Sequence, residues 1–346
     1  MAKRTLGIGI IGTGSAAGAH IDNFKDVTDC EIVAICSRKQ SRAAALAEEK
    51  GLSDVTSYSK LESFLAHDGL DVVSICTPHP NHPAETIAAA RAGKHIVIEK
   101  PVALGRDDLK KMVTECNKAG VCTSVCFELH WIGLFKNIKA MIKKGMVGNP
   151  FYGEASYYHG IGPHIRQYDW NIKKRMGGDA LLTAGCHALD GLIWLMGSRV
   201  VEVAAMSNTS KRNPWKFGYD PNSIAILKFE NGAIGKVGTS IECRQPYLMP
   251  IIIQGDRGTI WNDRFSTLDL PGQNDWGQIP TDLPESGSVD DHPYRGQFQE
   301  FLDNVRRGKS PHNDLHAAAH VHEVIFAIQA AIRTRVTVKV RRTPGT

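Results

Sequence analysis

The sequence predicts an α/β fold, in which an N-terminal doubly wound parallel sheet precedes a C-terminal α+β domain with a large open, mainly antiparallel sheet. Three observations carry this prediction. An apolar run feeds into close-set glycines at Gly12 and Gly14, short strand and helix patterns alternate as far as Cys126, and beyond Asn149-Pro150 strand patterns follow one another directly. Strands alternating with helices specify a parallel sheet, whereas successive hairpins specify an antiparallel one. At 346 residues the chain exceeds the usual size of one core, so two domains are expected, 1–126 and 127–346, with a C-terminal helix packing back on the first.

Taken in order, Ile8, Ile10 and Ile11 form a buried first strand, and Gly12 to Gly18 reads G-x-G-x-x-A into a helix over Ala16 to Phe24. Gly12 permits the tight turn, Gly14 lets the backbone approach a pyrophosphate, and Ala17 or Gly18 lets the helix pack on the strand. The diphosphate then rests on a helix N-terminus, with Gly12, Gly14, Ser15 and Ala16 as cofactor-binding residues. That is the opening of a Rossmann dinucleotide-binding domain. The alternation continues with a strand over Glu31 to Cys36, an Ala-rich helix over Gln40 to Lys50, a short strand at Val55-Thr56 and a helix over Leu61 to His67. A buried strand over Asp71 to Cys76, a helix over Pro83 to Ala92, a strand over His95 to Glu99, a helix over Arg106 to Ala119 and a strand over Val121 to Cys126 complete it. At the end of the second strand, where an NAD enzyme commonly presents a carboxylate to the ribose, stand Ser37 and Arg38. Arg38 can pair with a 2′-phosphate or stack on adenine, so the cofactor is read as NAD or NADP.

In the second domain the strand-like runs are Phe151 to Tyr158, Val200 to Met206, Ser223 to Phe229, Ala233 to Ile241, Met249 to Gln254 and Gly258 to Trp261. Asn231-Gly232 and Asp256-Arg257-Gly258 are turn signals between them. Helices are expected over Leu181 to Leu195, Arg295 to Arg306 and Leu315 to Ile332, and a surface loop over residues 268–294.

A hydrophobic content of 42% with 22% charged residues is that of a globular protein. The net charge of +5 is spread along the chain, its longest basic cluster being Lys173-Lys174-Arg175, which argues against a nucleic-acid partner. No run approaches the ~18 apolar residues of a membrane span, so no membrane partner is expected. Met1 to Thr5 passes into the first strand without room for a signal peptide, and the eight cysteines lack C-x-x-C spacing. They read as reduced core residues of a cytoplasmic protein. His316 and His320 stand one turn apart, a spacing able to bind zinc, but no third ligand is evident. A solvated helix face is the expectation there, and no metal.

Three further motifs occur in order: Thr77-Pro78-His79-Pro80-Asn81-His82, then Glu99-Lys100-Pro101, then Gly177-Gly178 through Thr183, His187 and Asp190. With the opening glycines they resemble the glucose-fructose oxidoreductase / inositol dehydrogenase family, Gfo/Idh/MocA, over nearly the whole chain. The resemblance implies an NAD(P)-dependent oxidoreductase acting on a secondary hydroxyl or ketone of a sugar, sugar derivative or cyclitol. It implies that Lys100 and His187 flank the reacting hydroxyl, and that Glu99 with Thr77, Pro78, His79 and His82 lies at the cofactor. Alcohol oxidation releases a hydride from carbon and a proton from oxygen, so a base is needed, and an imidazole with its ordinary pKa near 6.5 suits. Lys100 follows a parallel strand, where ligands bind in such sheets, and its ammonium would stabilise charge on oxygen. The family often has Asp where this chain has Thr183, which cannot carry charge. Proton transfer then falls to His187 and Lys100, with Asp190 a candidate to orient the imidazole, hold a substrate hydroxyl or simply cap the helix.

Tyr158, His159, Arg166, Tyr168 and Trp170 offer aromatic and polar groups suited to a sugar and join Lys100, Thr183, His187 and Asp190 as substrate-binding candidates. The resemblance further implies a homodimer or homotetramer built on the open sheet face. Two other readings stay open. One is a glycoside-cleaving enzyme that retains its cofactor and uses Tyr158, His159, His164 or Tyr168 as a base; the other is a non-catalytic nucleotide-dependent regulator.

Overall fold

The computed structural model describes residues 4–281 and 292–346. They divide into two compact units, one of residues 4–126, 292–319 and 343–346, the other of 127–281 and 320–342.

The first unit holds a six-stranded sheet in the order β3-β2-β1-β4-β5-β6. Its strands are β1 (Leu6–Ile11), β2 (Cys30–Cys36), β3 (Thr56–Tyr58), β4 (Leu70–Ile75), β5 (His95–Ile98) and β6 (Thr123–Val125), all parallel. Helices α1 (Ser15–Lys25), α2 (Gln40–Glu49), α3 (Leu61–Leu65), α4 (His82–Arg91) and α5 (Arg106–Ala119) connect them. The order reverses between β1 and β4, and that switch point opens a crevice at the carboxyl ends of the strands. Every residue of β1 is buried, as a strand covered on both faces must be. α1 buries Ile21 and Phe24, and Phe24 stacks at 4.1 Å on Phe298 of α10 (Tyr294–Arg307).

The second unit holds a nine-stranded sheet in the order β14-β13-β12-β11-β7-β10-β9-β8-β15. Its strands are β7 (Pro150–Tyr158), β8 (Val200–Asn208), β9 (Asn222–Phe229), β10 (Ile234–Ser240), β11 (Ile251–Gly255), β12 (Gly258–Trp261), β13 (Arg264–Thr267), β14 (Gly277–Gln278) and β15 (Val338–Lys339). The sheet is antiparallel except that β7 and β10 run parallel, a pairing that a succession of hairpins does not reveal. The unit's helices include α6 (Gly133–Lys143), the single turns α7 (Tyr168–Asn171) and α8 (Lys174–Gly177), α9 (Cys186–Met196) and, from residue 320 on, the long C-terminal helix. α6, α7, α8, β13, β14 and β15 go beyond the elements expected from sequence; β14 falls inside the expected 268–294 loop, of which 282–291 lie outside the described residues.

α9 covers one face of this sheet: a Cβ on Gly153 would meet Leu192 and Met196, so the odd residues of β7 look toward the helix. The even residues look the other way, where Glu154 pairs with Lys236 and where Met206, Ile224, Ile226 and Ile234 are exposed. The expected helix over Leu181 to Leu195 is not uniform, because Leu181–Gly185 is a π turn that precedes α9.

Helix α11 (Leu315–Thr334) corrects the expectation that no segment is long and apolar enough to cross a membrane. By length and composition it qualifies, yet 72% of its most apolar window is buried within the protein, as in a core helix. The same helix corrects the solvated-face reading for His320 only, His316 being exposed as expected. His316 meets Asn117 Oδ1 through Nε2 at 2.7 Å, but His320 is buried and its Nε2 accepts the Val200 N–H at 3.1 Å.

Candidate functional site

In the first unit the candidate residues gather at the switch point. Gly12 has φ +115°, and a Cβ there would stand 2.5 Å from the Cys76 carbonyl oxygen, so only glycine lets β1 turn this close to the end of β4. A Cβ on Gly14 would meet nothing within 4 Å. Gly14 is the N-cap of α1, whose first turn carries no acidic residue, so the space beside it borders an open helix N-terminus suited to a diphosphate. Ala17 is fully buried, whereas a Cβ on Gly18 would meet the Lys50 side chain, so Ala17 carries the close helix packing. At the end of β2, Ser37 Oγ lies 3.4 Å from Thr13 Oγ1, and Arg38 is exposed beside it.

The loop after β4 is pinned from inside. Thr77 donates its hydroxyl to Glu85 at 2.5 Å, and burial, opposed by that bond, pushes the Glu85 carboxyl up to about 7. His82 has Nδ1 2.8 Å from the Pro101 carbonyl and Nε2 2.7 Å from the Thr77 carbonyl, and burial holds its pKa below the ordinary value. Both ring nitrogens are thus taken up joining the Thr77 loop to the Glu99-Lys100-Pro101 loop, which corrects the expectation that His82 binds cofactor directly. His79 is buried edge-on to His82, with ring centroids 5.9 Å apart.

Glu99 is likewise inward-facing. Its carboxylate meets His20 Nε2 at 3.0 Å and accepts the Tyr294 hydroxyl at 2.8 Å and the Lys100 N–H at 3.2 Å. Burial pushes its carboxyl up, but the His20 bond and charge, the Lys100 charge and the Tyr294 bond outweigh burial and hold it well below the usual carboxylate range. Glu99 therefore fixes the backbone from which Lys100 projects instead of reaching a cofactor, a second correction. Among the described residues His20, Glu99 and Cys126 bring ligand-type atoms within 4.8 Å, but the bonds to Ser74 and Tyr294 account for His20 and Glu99 without an ion.

In the second unit the centre is His187, buried on the first turn of α9. Its Nδ1 stands 3.2 Å from Glu128 Oε2. The ring lies 6.2 Å from Tyr157, nearly parallel, and 6.0 Å from Phe127, edge to face. Glu128 belongs to a 3-10 turn, Glu128–Trp131, which also carries His130, and His130 Nε2 stands 2.8 Å from Asp190 Oδ2. Two buried imidazole–carboxylate pairs therefore link this turn to α9. Asp190 is engaged by His130, which corrects the expectation that it orients His187.

Thr183 is also inward-facing, its one hydroxyl proton placed between Asn171 Oδ1 at 2.8 Å and the Gly177 carbonyl at 2.9 Å. With that proton committed and the side chain buried, the expectation that Thr183 contacts substrate is corrected to a structural role in the turn before α9. Tyr158 is corrected by the strand period: it lies on the sheet face opposite α9, and Tyr157 is the residue that reaches His187. Burial pushes the Tyr157 hydroxyl well above its ordinary pKa. His159 Nδ1 lies 3.3 Å from that hydroxyl, and Tyr247 stands edge-on to both rings. Tyr168 donates its hydroxyl to the Trp215 carbonyl at 2.7 Å, Arg166 is exposed and Trp170 is half-buried.

Glu128, His130 and Tyr247 are thus candidate-site residues that sequence reading missed, while Tyr157 lies inside the Tyr157-Tyr158-His159 segment that it offers. Only the first two carried a signal, being polar residues set alternately just past the last parallel strand, where apolar ones would be expected.

Residues 6–127 match the family model described as an oxidoreductase family with an NAD-binding Rossmann fold, and residues 135–261 match the GFO/IDH/MocA C-terminal domain. The chain is 26% identical to myo-inositol 2-dehydrogenase of Thermotoga maritima over 88% of this chain and 89% of that one. It is 24% identical to D-glucoside 3-dehydrogenase of Escherichia coli over 98% and 99% respectively. Among solved structures, levoglucosan dehydrogenase in complex with NADH and levoglucosan superposes with a TM-score of 0.84 at 22% identity, over 97% of this chain and 100% of that one. An oxidoreductase of Agrobacterium radiobacter in complex with NAD+, L-tartaric acid and magnesium gives 0.85 at 22% identity, over 97% and 98%.

Proposed function

The chain belongs to the Gfo/Idh/MocA family of NAD-binding oxidoreductases, and from that premise we propose that it oxidises a secondary hydroxyl of a sugar, sugar derivative or cyclitol, or reduces the matching ketone. The observation that carries the reading is His187, buried on the family's G-G…H-x-x-D segment with Nδ1 against a buried carboxylate, an arrangement suited to a proton acceptor. Relatives named as dehydrogenases of myo-inositol, D-glucosides and D-apiose support the substrate class.

The N–H groups at the start of α1 would hold the diphosphate, Ser37 and Arg38 the adenosine ribose, and Thr77, Pro78 and His79 the nicotinamide side. A bound nicotinamide supplies the hydride acceptor. The chain moves the proton: His187 Nε2 takes it from the hydroxyl, while the Lys100 ammonium stabilises the charge building on that oxygen. Residues 1–126 act as the cofactor domain and 127–346 as the main source of the substrate site. We further propose a cytoplasmic setting, supported by eight cysteines that form no disulfide, and a homodimer or homotetramer through the face bearing Met206, Ile224, Ile226 and Ile234, an apolar patch that water disfavours.

The test is an absorbance screen for reduced nicotinamide with NAD and NADP separately against monosaccharides, cyclitols and glycosides. Turnover of one sugar or cyclitol class is expected, lost by about 10²-fold or more in Lys100→Ala and in His187→Ala. Full activity in both variants would remove these residues from the chemistry, and release of an aglycone without added nucleotide would replace the dehydrogenase with a retained-cofactor enzyme.

A further inference from the structure

We propose that Glu128 is the positioning residue of His187, its carboxylate beside Nδ1 keeping the proton on that nitrogen so that Nε2 is the atom that accepts the substrate's proton. The inference deepens the proposed dehydrogenase reading and rests on it for the identity of the proton donor. A neutral imidazole carries one proton, and the group facing one nitrogen decides which nitrogen stays basic. The Glu128 carboxylate stands 3.2 Å from Nδ1, in ion-pair range but without hydrogen-bond alignment, so it is its charge that favours the Nδ1–H form and stabilises the imidazolium that proton uptake creates.

The alternatives for that task are all occupied. Thr183, at the position where the family often has Asp, spends its hydroxyl on Asn171 and Gly177. Asp190 faces His130 at 2.8 Å. Negative charge therefore comes to the imidazole from the 3-10 turn that precedes α6, not from α9's own preceding turn.

Three features hold the pair in place. The His130–Asp190 contact joins the same two elements two residues from Glu128 and three from His187. Leu129 and Phe135 lie against Gly191, so the turn and α6 are packed onto α9. Phe127 and Tyr157 flank the imidazole ring. Among the described residues, titratable groups around the pair include His130 and Asp190, Cys186 of α9, the Tyr157 hydroxyl of β7 with His159 3.3 Å beyond it, and Cys243 and Tyr247 from the loop before β11. Burial raises both tyrosines well above their ordinary pKa, leaving them neutral near pH 7 and Glu128 the carboxyl group beside the ring.

The test has two arms on the full-length protein. In 15N-histidine-labelled protein, with His187 assigned by the signal lost in His187→Gln, the wild type is expected to show the Nδ1–H form above the imidazole's titration. Glu128→Gln should show a mixture of both forms. In the kinetic arm, Glu128→Gln should lower kcat by about 10²-fold with KM little changed. The acid limb of its kcat/KM profile should move to lower pH, because an imidazolium that loses an anionic partner gives up its proton more readily. Glu128→Asp, which keeps the charge on a shorter arm, should recover part of kcat and the wild-type limb. A wild-type His187 in the Nε2–H form, or a limb unmoved in Glu128→Gln, would overturn the assignment. A wild type silent on every sugar and cyclitol while showing the Nδ1–H form would defeat the dehydrogenase reading and still support the pairing.

Discussion

Replacing Gly185 by alanine tests whether the close seat of the π turn on the sheet is what holds the His187 helix in place. Gly185 has φ −64° and ψ −13°, a conformation alanine adopts, so helix propensity favours the change by up to about 1 kcal/mol. Space opposes it. A Cβ there would stand 2.1 Å from Thr239 Oγ1 and 3.0 Å from its Cγ2, so the helix or the side chain must retreat by about 1 Å. Thr239 is buried on β10 and stiff at χ1, so turning it only exchanges one close atom for another. Overpacking of this kind costs about 1–3 kcal/mol, which leaves a net loss of up to about 2 kcal/mol once the full propensity gain is subtracted. Thr239→Ala removes both atoms, and the remaining close atom, Leu181 Cδ2 at 3.1 Å, ends a flexible side chain. In that background Gly185→Ala should be neutral or stabilising by up to about 1 kcal/mol, a reversal of sign read as a coupling energy from urea unfolding of the four proteins. His187 lies two residues on, so turnover should fall in the single variant and recover in the double. An equal cost of Gly185→Ala in both backgrounds would refute the packing argument.

Three other perturbations read separate parts of the molecule. Burial, then the Arg199 and Arg342 charges, pushes His320 down to about 3, so it stays neutral in the folded chain while the unfolded imidazole binds a proton below about 6.5. Its contribution to stability is complete above that value and is lost as pH falls toward 3; His320→Gln should flatten the decline of urea midpoints between about pH 6.5 and 4.5. Glu99 has a depressed folded pKa, so its contribution is complete above about 4.3 and lost at lower pH. Glu99→Gln should cost about 3 kcal/mol at pH 7 and less in acid, and an equal loss at both pH values would remove the carboxylate's charge from the account. Finally, Ser37→Asp sets a carboxylate at the end of β2, where it bonds a 2′-hydroxyl and repels a 2′-phosphate. The ratio of kcat/KM for NAD over NADP should rise about tenfold or more, and an unchanged ratio would place the ribose elsewhere.

How much was legible follows from how far each signal travels along the chain. β1, the glycine turn and α1 were readable because a buried strand, a turn needing φ +115° at Gly12 and a helix N-terminus are all local demands on adjacent residues. The same holds for the alternation that builds the six-stranded sheet. The π turn before α9 was not readable, since its residues Leu-Leu-Thr-Ala-Gly suit an α-helix equally well. Nor was the parallel pairing of β7 with β10, which joins residues about 80 positions apart.

The same division runs through the site. From sequence alone came the fold class, the family, the lysine after β5 and the histidine on α9, because each is a residue type at a fixed place in a local motif. Only the tertiary structure decided what stands beside them. Strand period puts Tyr157 and not Tyr158 on the face of His187. The fold brings Glu128 from 59 positions away to the imidazole and gives Asp190 to His130 instead. A carboxylate's partner is chosen by distance in space, and a linear sequence records which groups are available but not which of them meet.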